Sequence, residues 1–311
     1  MVEKIRRHVW RKEMKHIIAV QSIALQAIHR YMHTHGFTQL MPVVLSKVTD
    51  PLGPDPESSV IKTAHVEYYG QRLKLTQSMI LHKQIAVASG LKKVYIISPN
   101  VRLERKERYS TGRHCFEFSQ VDFEIAYARR DDVLEFVEGI FKYILKAVMK
   151  YAYEDLKELG RKLEMWRGCF EKRTTHELEE VYGDEWEEIA SRDSKKPFFA
   201  LCFKREFYDK EDESRPGHYL NYDLIYPEGF GEALSGGERE YEYERIVERI
   251  RRDGLREEEY TAYLELAKEG MLIPSAGAGF GVERLVRYIT GARHIKDVQL
   301  FPRVPGMEIF I

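Results

Sequence analysis

The chain has 311 residues, 49 Lys+Arg against 50 Asp+Glu for a formal charge of -1, 43% hydrophobic and 32% charged residues. That much apolar material excludes global disorder, and the balanced charge excludes a strongly basic nucleic-acid coat or an acidic solvating tail while leaving room for a local basic patch. Three scattered cysteines (Cys115, Cys169, Cys202) exclude a disulfide framework or zinc knuckle; with no apolar run of the roughly 18 residues that span a bilayer and no signal-peptide pattern at the start, a cytoplasmic location is expected.

In chain order, residues 12–35 read as one long helix, because Ile17, Ile18, Val20, Ile23, Ala24, Ala27 and Ile28 recur at helical spacing and Gly36 stops it. An extended stretch over 37–45, broken by Pro42, leads to a loop over 50–57 dense in Pro and Asp. A short strand is expected over 73–76, a helix over 77–88, a buried β-branched strand over 94–97 and a charged loop over 102–113. Residues 116–128 alternate as a strand, and 131–159 form a long amphipathic helix. The polar stretch 160–196 reads as an insertion. Strands over 198–203 and 219–226, charged helices over 240–251 and 256–268, an extended segment over 276–282 and a last helix from Glu283 complete the chain. Strands in the middle with helices before and after predict an α+β domain on an antiparallel sheet.

Three patterns carry chemistry. On the alternating strand, Phe116, Phe118, Gln120, Asp122 and Glu124 share one face, and Glu117, Ser119, Val121, Phe123 and Ile125 the other. A half-buried strand normally leaves its polar face to water; aromatic and polar groups together also suit a ligand floor, and both readings stay open. Upstream, Arg102 and Glu104 lie two apart on one face of an extended segment. They offer a fork for phosphate or carboxylate oxygens and a carboxylate for a base amine. The pair means little alone and gains weight from Arg113, His114 and Phe118 downstream. Near the end, Gly277, Gly279 and Gly281 alternate before Arg284. They bare backbone for a flat ring or another backbone to approach. A dinucleotide fingerprint is excluded, because the glycine spacing is wrong and no parallel unit surrounds it.

Taken in this order, the residues resemble the three signature motifs of the class II aminoacyl-tRNA synthetases: Gly36, Phe37 and Pro42 after a long helix; Arg102, Glu104, His114 and Phe118; and Gly277, Gly279, Gly281, Glu283 and Arg284. The runs ending in Glu124 and Arg239 resemble the aspartyl and asparaginyl members. The resemblance covers residues 12–305. It implies a class II synthetase-like antiparallel sheet flanked by helices and one catalytic domain over 1–311 with 160–196 inserted; the aspartyl and asparaginyl enzymes place an anticodon-binding barrel before the first motif, and none is expected here, where the long helix begins at residue 12. It implies a homodimer with the long helix and Pro42 at the seam.

By the same resemblance, Arg102 grips the α-phosphate of ATP, Glu104 the adenine amine, His114 the γ-phosphate and Arg284 the phosphate tail, while Phe118 stacks on adenine. Glu232 and Ser235 hold Mg²⁺, with Asp223 as a further ligand; Arg102, Arg284 and Glu232 form the catalytic set. The segment 75–84 resembles the one with which aspartyl enzymes read the amino acid, so Gln77, Ser78, Lys83, Gln120, Asp122 and Arg239 are expected around the substrate. Met79 and Ile80 depart from that pattern. Lys83 and Arg239 around one small group call for a carboxylate, since two unpaired cations around a neutral amide are costly; a solvated helix lysine is the other reading of Lys83.

The resemblance extends to ammonia-dependent asparagine synthetases of archaeal type, and the chain looks like that branch. The expected reaction takes aspartate and ATP to an aspartyl-adenylate and pyrophosphate, then ammonia to asparagine and AMP. Asp50, Asp55 or Glu57 is expected to take the proton of ammonium. A paralogue charging tRNA or another acceptor, or a non-catalytic relic, are the other readings; tRNA is not expected as a partner, nor a membrane. Which carboxylate of aspartate is activated stays open.

Overall fold

The computed structural model describes residues 2–52 and 60–311, so Asp55 and Glu57 lie outside the described residues. After a short helix α1 (Val2–Val9), the long helix α2 (Lys12–Thr34) buries Met14, Ile17, Val20, Ala24, Ala27, Ile28 and Met32 along one stripe. It stops where Gly36 takes a φ of +77°. The expected extended stretch holds only two short strands, β1 (Thr38–Gln39) and β2 (Leu45–Ser46). A hairpin, β3 (His65–Tyr68) and β4 (Gln71–Leu75), joins β2 in a small three-stranded sheet, and α3 (Ile80–Ala88) follows.

The large sheet is built from β5 (Lys93–Val101), β6 (Glu117–Ala126), β7 (Glu171–Thr174), β8 (Phe198–Leu201), β9 (Asn221–Tyr226), β10 (Gly231–Glu238) and β11 (Ser275–Gly281), together with β1. Its order is β1-β5-β6-β11-β10-β9-β8-β7. The six central strands pair antiparallel, as expected; each edge strand, β1 on β5 and β7 on β8, pairs parallel. The helix expected over 131–159 is two, α4 (Arg130–Tyr151) and α5 (Tyr153–Glu158), parted at Ala152 with a φ of -120°. The stretch 160–196 supplies β7, α6 (Thr175–Tyr182) and α7 (Trp186–Asp193); Leu178, Trp186 and Ala190 pack on Phe198, Ala200 and Ile225. It is therefore woven into the sheet edge as a βαβ crossover.

The two faces of the sheet have different fates. Val121 and Phe123 of β6, Leu224 of β9, Leu234 of β10 and Phe280 of β11 pack with the apolar stripes of α2 and α4 and with α10 (Val282–Thr290) in the main core. The opposite face carries the polar partners of those residues. It is flanked by α3, α8 (Tyr243–Arg252) and α9 (Thr261–Lys268), which share a second core. No helix among the described residues is long and apolar enough to cross a membrane.

Candidate active site

A cavity of about 320 Å³ opens on the polar face. Phe118, Gln120 and Asp122 of β6 line it, so the alternating strand is a cavity floor rather than a solvated face. Its walls include Ser78, Lys83, Arg102, Glu104, His114, Glu232, Ser235, Arg239 and Arg284, all expected from sequence. Two expected residues are placed elsewhere. Gln77 is buried off the wall, where its Nε2 donates to the carbonyl of Asp50 at 2.7 Å and its own carbonyl accepts from Arg102 Nε at 3.0 Å. Asp223 sits behind Arg205, whose Nη2 reaches its Oδ2 at 2.5 Å.

Local strand geometry explains two of these placements. Period two would send Glu232 and Leu234 to the same face; a register shift between them lets Glu232 and Ser235, three apart, both face the cavity while Leu234 enters the core. Ser235 stands opposite Asp223 in the ladder. Gly279 and Gly281 line the cavity, and the close approach expected at the alternating glycines includes the neighbouring strand's backbone, since a Cβ on Gly277 would meet the carbonyl of Phe123. A Cβ on Gly277 would collide with Glu124, and one on Gly279 with Gln120 and Asp122, so glycine there clears space for the side chains of the neighbouring strand.

One end of the cavity is cationic. Arg102 lies over the Phe118 ring at 5.3 Å, and Arg284 pairs with Glu232 at 3.0 Å. Burial works to raise the Glu232 carboxyl, but Arg284, Arg113 and Arg205 outweigh it and bring it down to about 2, so it is ionised. Burial, then the neighbouring Arg284, Arg113 and Arg108, hold the His114 imidazole down to about 2. It lines the cavity as a neutral imidazole. Glu104 Oε2 is buried without a hydrogen-bond partner, with Arg108 Nε at 4.0 Å; an incoming amine would satisfy it.

The other end mixes charges. Lys83 is 1% exposed, which removes the solvated-helix reading. Its Nζ lies 3.2 Å from Asp122 Oδ1, 3.6 Å from Glu124 Oε2 and 3.0 Å from the carbonyl of Ala278. Arg239 pairs with Glu124 at 3.1 Å and Asp209 at 3.2 Å and donates to the carbonyl of Gly277 at 2.9 Å. The two cations are therefore not bare, and the argument that a lone carboxylate must neutralise them needs correction: Asp122, Glu124 and Asp209 already oppose them. Further carboxylates crowd in, since Asp50 and Glu206 line the same wall. Desolvation, then Asp50 and Asp209, push Glu206 up to about 8.

A folded-state pKa above the ordinary carboxylate range means that the folded protein holds the proton. Glu206 thus contributes stability at low pH that is lost as pH rises through about 8. In Glu206→Gln that loss is expected to disappear, so the variant gains on the wild type between pH 6 and pH 9. Thermal unfolding at both pH values checks this; a stability difference independent of pH would assign the titration elsewhere.

Sequence reasoning missed Arg205, Glu206 and Asp209, which sit in the irregular segment between β8 and β9 without periodic signal, and Glu187 of α7. Glu187 accepts from Arg113 and, at 3.1 Å, from the backbone N–H of Glu232. The stretch 160–196 thus braces the cationic end of the cavity. Among the described residues no group of three or more His, Cys, Asp or Glu is placed to hold a metal. Glu232 offers a hard oxygen that fits Mg²⁺ only together with oxygens of a bound triphosphate, whereas Ser235 Oγ and Asp223 Oδ2, the other two expected ligands, already accept from Arg205.

A sheet of this topology with arginines at one end and a buried ion-pair network at the other defines an ATP-dependent, AMP-forming ligase core of the aminoacyl-tRNA synthetase kind. The chain belongs to the family of tRNA synthetases class II (D, K and N), which matches residues 2–305. It is similar to the asparagine–tRNA ligase of Thermococcus kodakarensis, 28% identical over 319 aligned positions that cover 96% of this chain and 71% of that protein. The asparagine–tRNA ligase of Pyrococcus abyssi is 27% identical, with 96% and 70% covered. Among solved structures, asparaginyl-tRNA synthetase from Pyrococcus horikoshii complexed with asparaginyl-adenylate superposes with a TM-score of 0.86 at 24% identity, covering 98% of this chain and 72% of that one.

Proposed function

We propose that the enzyme adenylates the β-carboxylate of aspartate and passes the acyl group to ammonia, making asparagine. The observation that carries this is the mixed charge at the inner end of the cavity. Lys83 and Arg239 stand beside Asp209, Glu206 and Asp50. Cations next to surplus carboxylates complement a zwitterion, so the α-carboxylate and α-ammonium of an amino acid fit there together. Held by its head group, aspartate presents its β-carboxylate toward Arg102 and the nucleotide.

A β-carboxylate oxygen then attacks the α-phosphorus of ATP, and the bond from that phosphorus to the bridging oxygen breaks to release pyrophosphate. Arg102 and Arg284 stabilise charge as it builds on the phosphates. Mg²⁺ held by Glu232 would supply further positive charge on the triphosphate. Ammonia attacks the acyl carbon and AMP leaves. The ionised form of Glu206, which grows as pH rises through about 8 and is a stronger base than an ordinary carboxylate, takes the proton that ammonium must lose, with Asp50 on the same wall.

A second reading is favoured by the names of the relatives. With the side chain inward and the α-carboxylate activated, the same site would make an α-adenylate for transfer to tRNA. Incubation with aspartate, ATP, Mg²⁺ and ammonium, without tRNA, is expected to give asparagine and AMP in equal amounts. Pyrophosphate exchange without asparagine, and acylation on adding tRNA, would favour the second reading.

A further inference from the structure

The acids at the phosphate end each carry an arginine: Glu232 has Arg284 at 3.0 Å, Glu187 has Arg113, and Asp223 has Arg205 at 2.5 Å. The third pair differs from the others. The Arg205 guanidinium bridges two residues expected to ligate a metal, donating through Nη2 to Asp223 Oδ2 and through Nη1 to Ser235 Oγ. It lies 4.1 Å from the centroid of the Phe203 ring, which fixes its plane. Behind it Asp223 is 3% exposed, and its Oδ1 has no hydrogen-bond partner. Two hard oxygens, Asp223 Oδ2 and Ser235 Oγ, therefore converge on the position that Arg205 fills, with the unpartnered Oδ1 on the same carboxylate and Glu232 lining the same cavity.

We propose that Arg205 is a built-in cation standing in a divalent-metal position, so that the ion arriving with the nucleotide takes Glu232 and phosphate oxygens but not Asp223 and Ser235. An arginine suits this role where a lysine does not: its planar fork satisfies a carboxylate and a hydroxyl at once and keeps its charge at every working pH. The inference rests on the reading that this end of the cavity takes a metal-bound triphosphate, and on nothing about the amino acid or its acceptor.

The test uses the nucleotide-free protein and Mn²⁺ as the probe, read by the electron paramagnetic resonance of free Mn²⁺ at pH 8. Wild type is expected to bind Mn²⁺ weakly. Arg205→Ser is expected to bind one ion at least tenfold more tightly, and adding Asp223→Asn should abolish the gain. Arg205→Lys, which keeps the charge and loses the fork, should fall between and gives the same ordering if the serine variant does not fold. Equal Mn²⁺ affinity in wild type and the Arg205 variants, or tight binding that survives loss of the Asp223 carboxylate, would overturn the proposal. With no ATP, aspartate or ammonium present, its failure leaves the proposed reaction untouched, and the failure of that reaction leaves this measurement standing.

Discussion

In Arg239→Ala, the unfolding free energy is expected to fall by about 3–5 kcal/mol and amino-acid binding to vanish while ATP still binds. Arg239 leaves β10 only 3% exposed and carries the counter-charge for Glu124, itself fully buried, and for Asp209. Removing it strands two carboxylates away from water. Lys83, 3.6 Å from Glu124, relieves only one of them; Asp209 keeps a hydrogen bond from Asn221 at 2.8 Å, while Arg249 reaches its backbone carbonyl rather than its carboxylate. The same truncation deletes the fork proposed to hold the α-carboxylate of aspartate. Arg239→Lys separates the two effects, since it keeps a charge in the network and loses the bidentate geometry, so it should be less destabilised yet still bind aspartate poorly. Urea unfolding reads the first effect and calorimetry with aspartate and with ATP the second. A folded variant with undiminished aspartate affinity removes Arg239 from the substrate site.

Arg102→Ala is expected to lower adenylate formation by about 10²–10³-fold, the usual cost of deleting one preorganised donor to a developing charge, chiefly in kcat. Arg102 is held in place by the carbonyl of Gln77 and by the Phe118 ring, so its geometry is set before the nucleotide arrives. It is also the neighbouring cation that most opposes the upward shift that burial gives the carboxyls of Asp50 and Glu104. Its loss should therefore raise both further and weaken the ionised form that Glu104 needs to accept from the adenine amine. Aspartate-dependent exchange of labelled pyrophosphate into ATP measures the effect; an unchanged kcat would mean that Arg102 does not touch the reacting phosphate.

Much of this site was legible because its residues announce themselves locally. The alternation along β6 identifies Phe118, Gln120 and Asp122 as neighbours on one face, and the burial stripe of α2 follows directly from helical spacing. What stayed hidden depends on pairings between distant segments. The register shift that turns both Glu232 and Ser235 inward exists only against β9. The parallel edge strand β7 can be recognised only beside β8. Arg205, Glu206 and Asp209 lie in an irregular segment whose composition says nothing of the cavity it enters. The alternation puts Glu124 on the face that carries Asp122, and the family resemblance brings Lys83 and Arg239 together, but only the fold places Glu124, fully buried, between the two cations and so changes them into a neutralised network. The glycines of β11 were read correctly as a place of close approach, and the visitors include the side chains of β6 and, at Gly277, its backbone.

The head-group-inward placement of aspartate is the central claim, and trapping the activated acyl group with hydroxylamine in place of ammonia tests it most directly. With aspartate, ATP and Mg²⁺, the account predicts β-aspartyl hydroxamate together with an equal amount of AMP. Formation of α-aspartyl hydroxamate instead, or release of ADP rather than AMP, would contradict it.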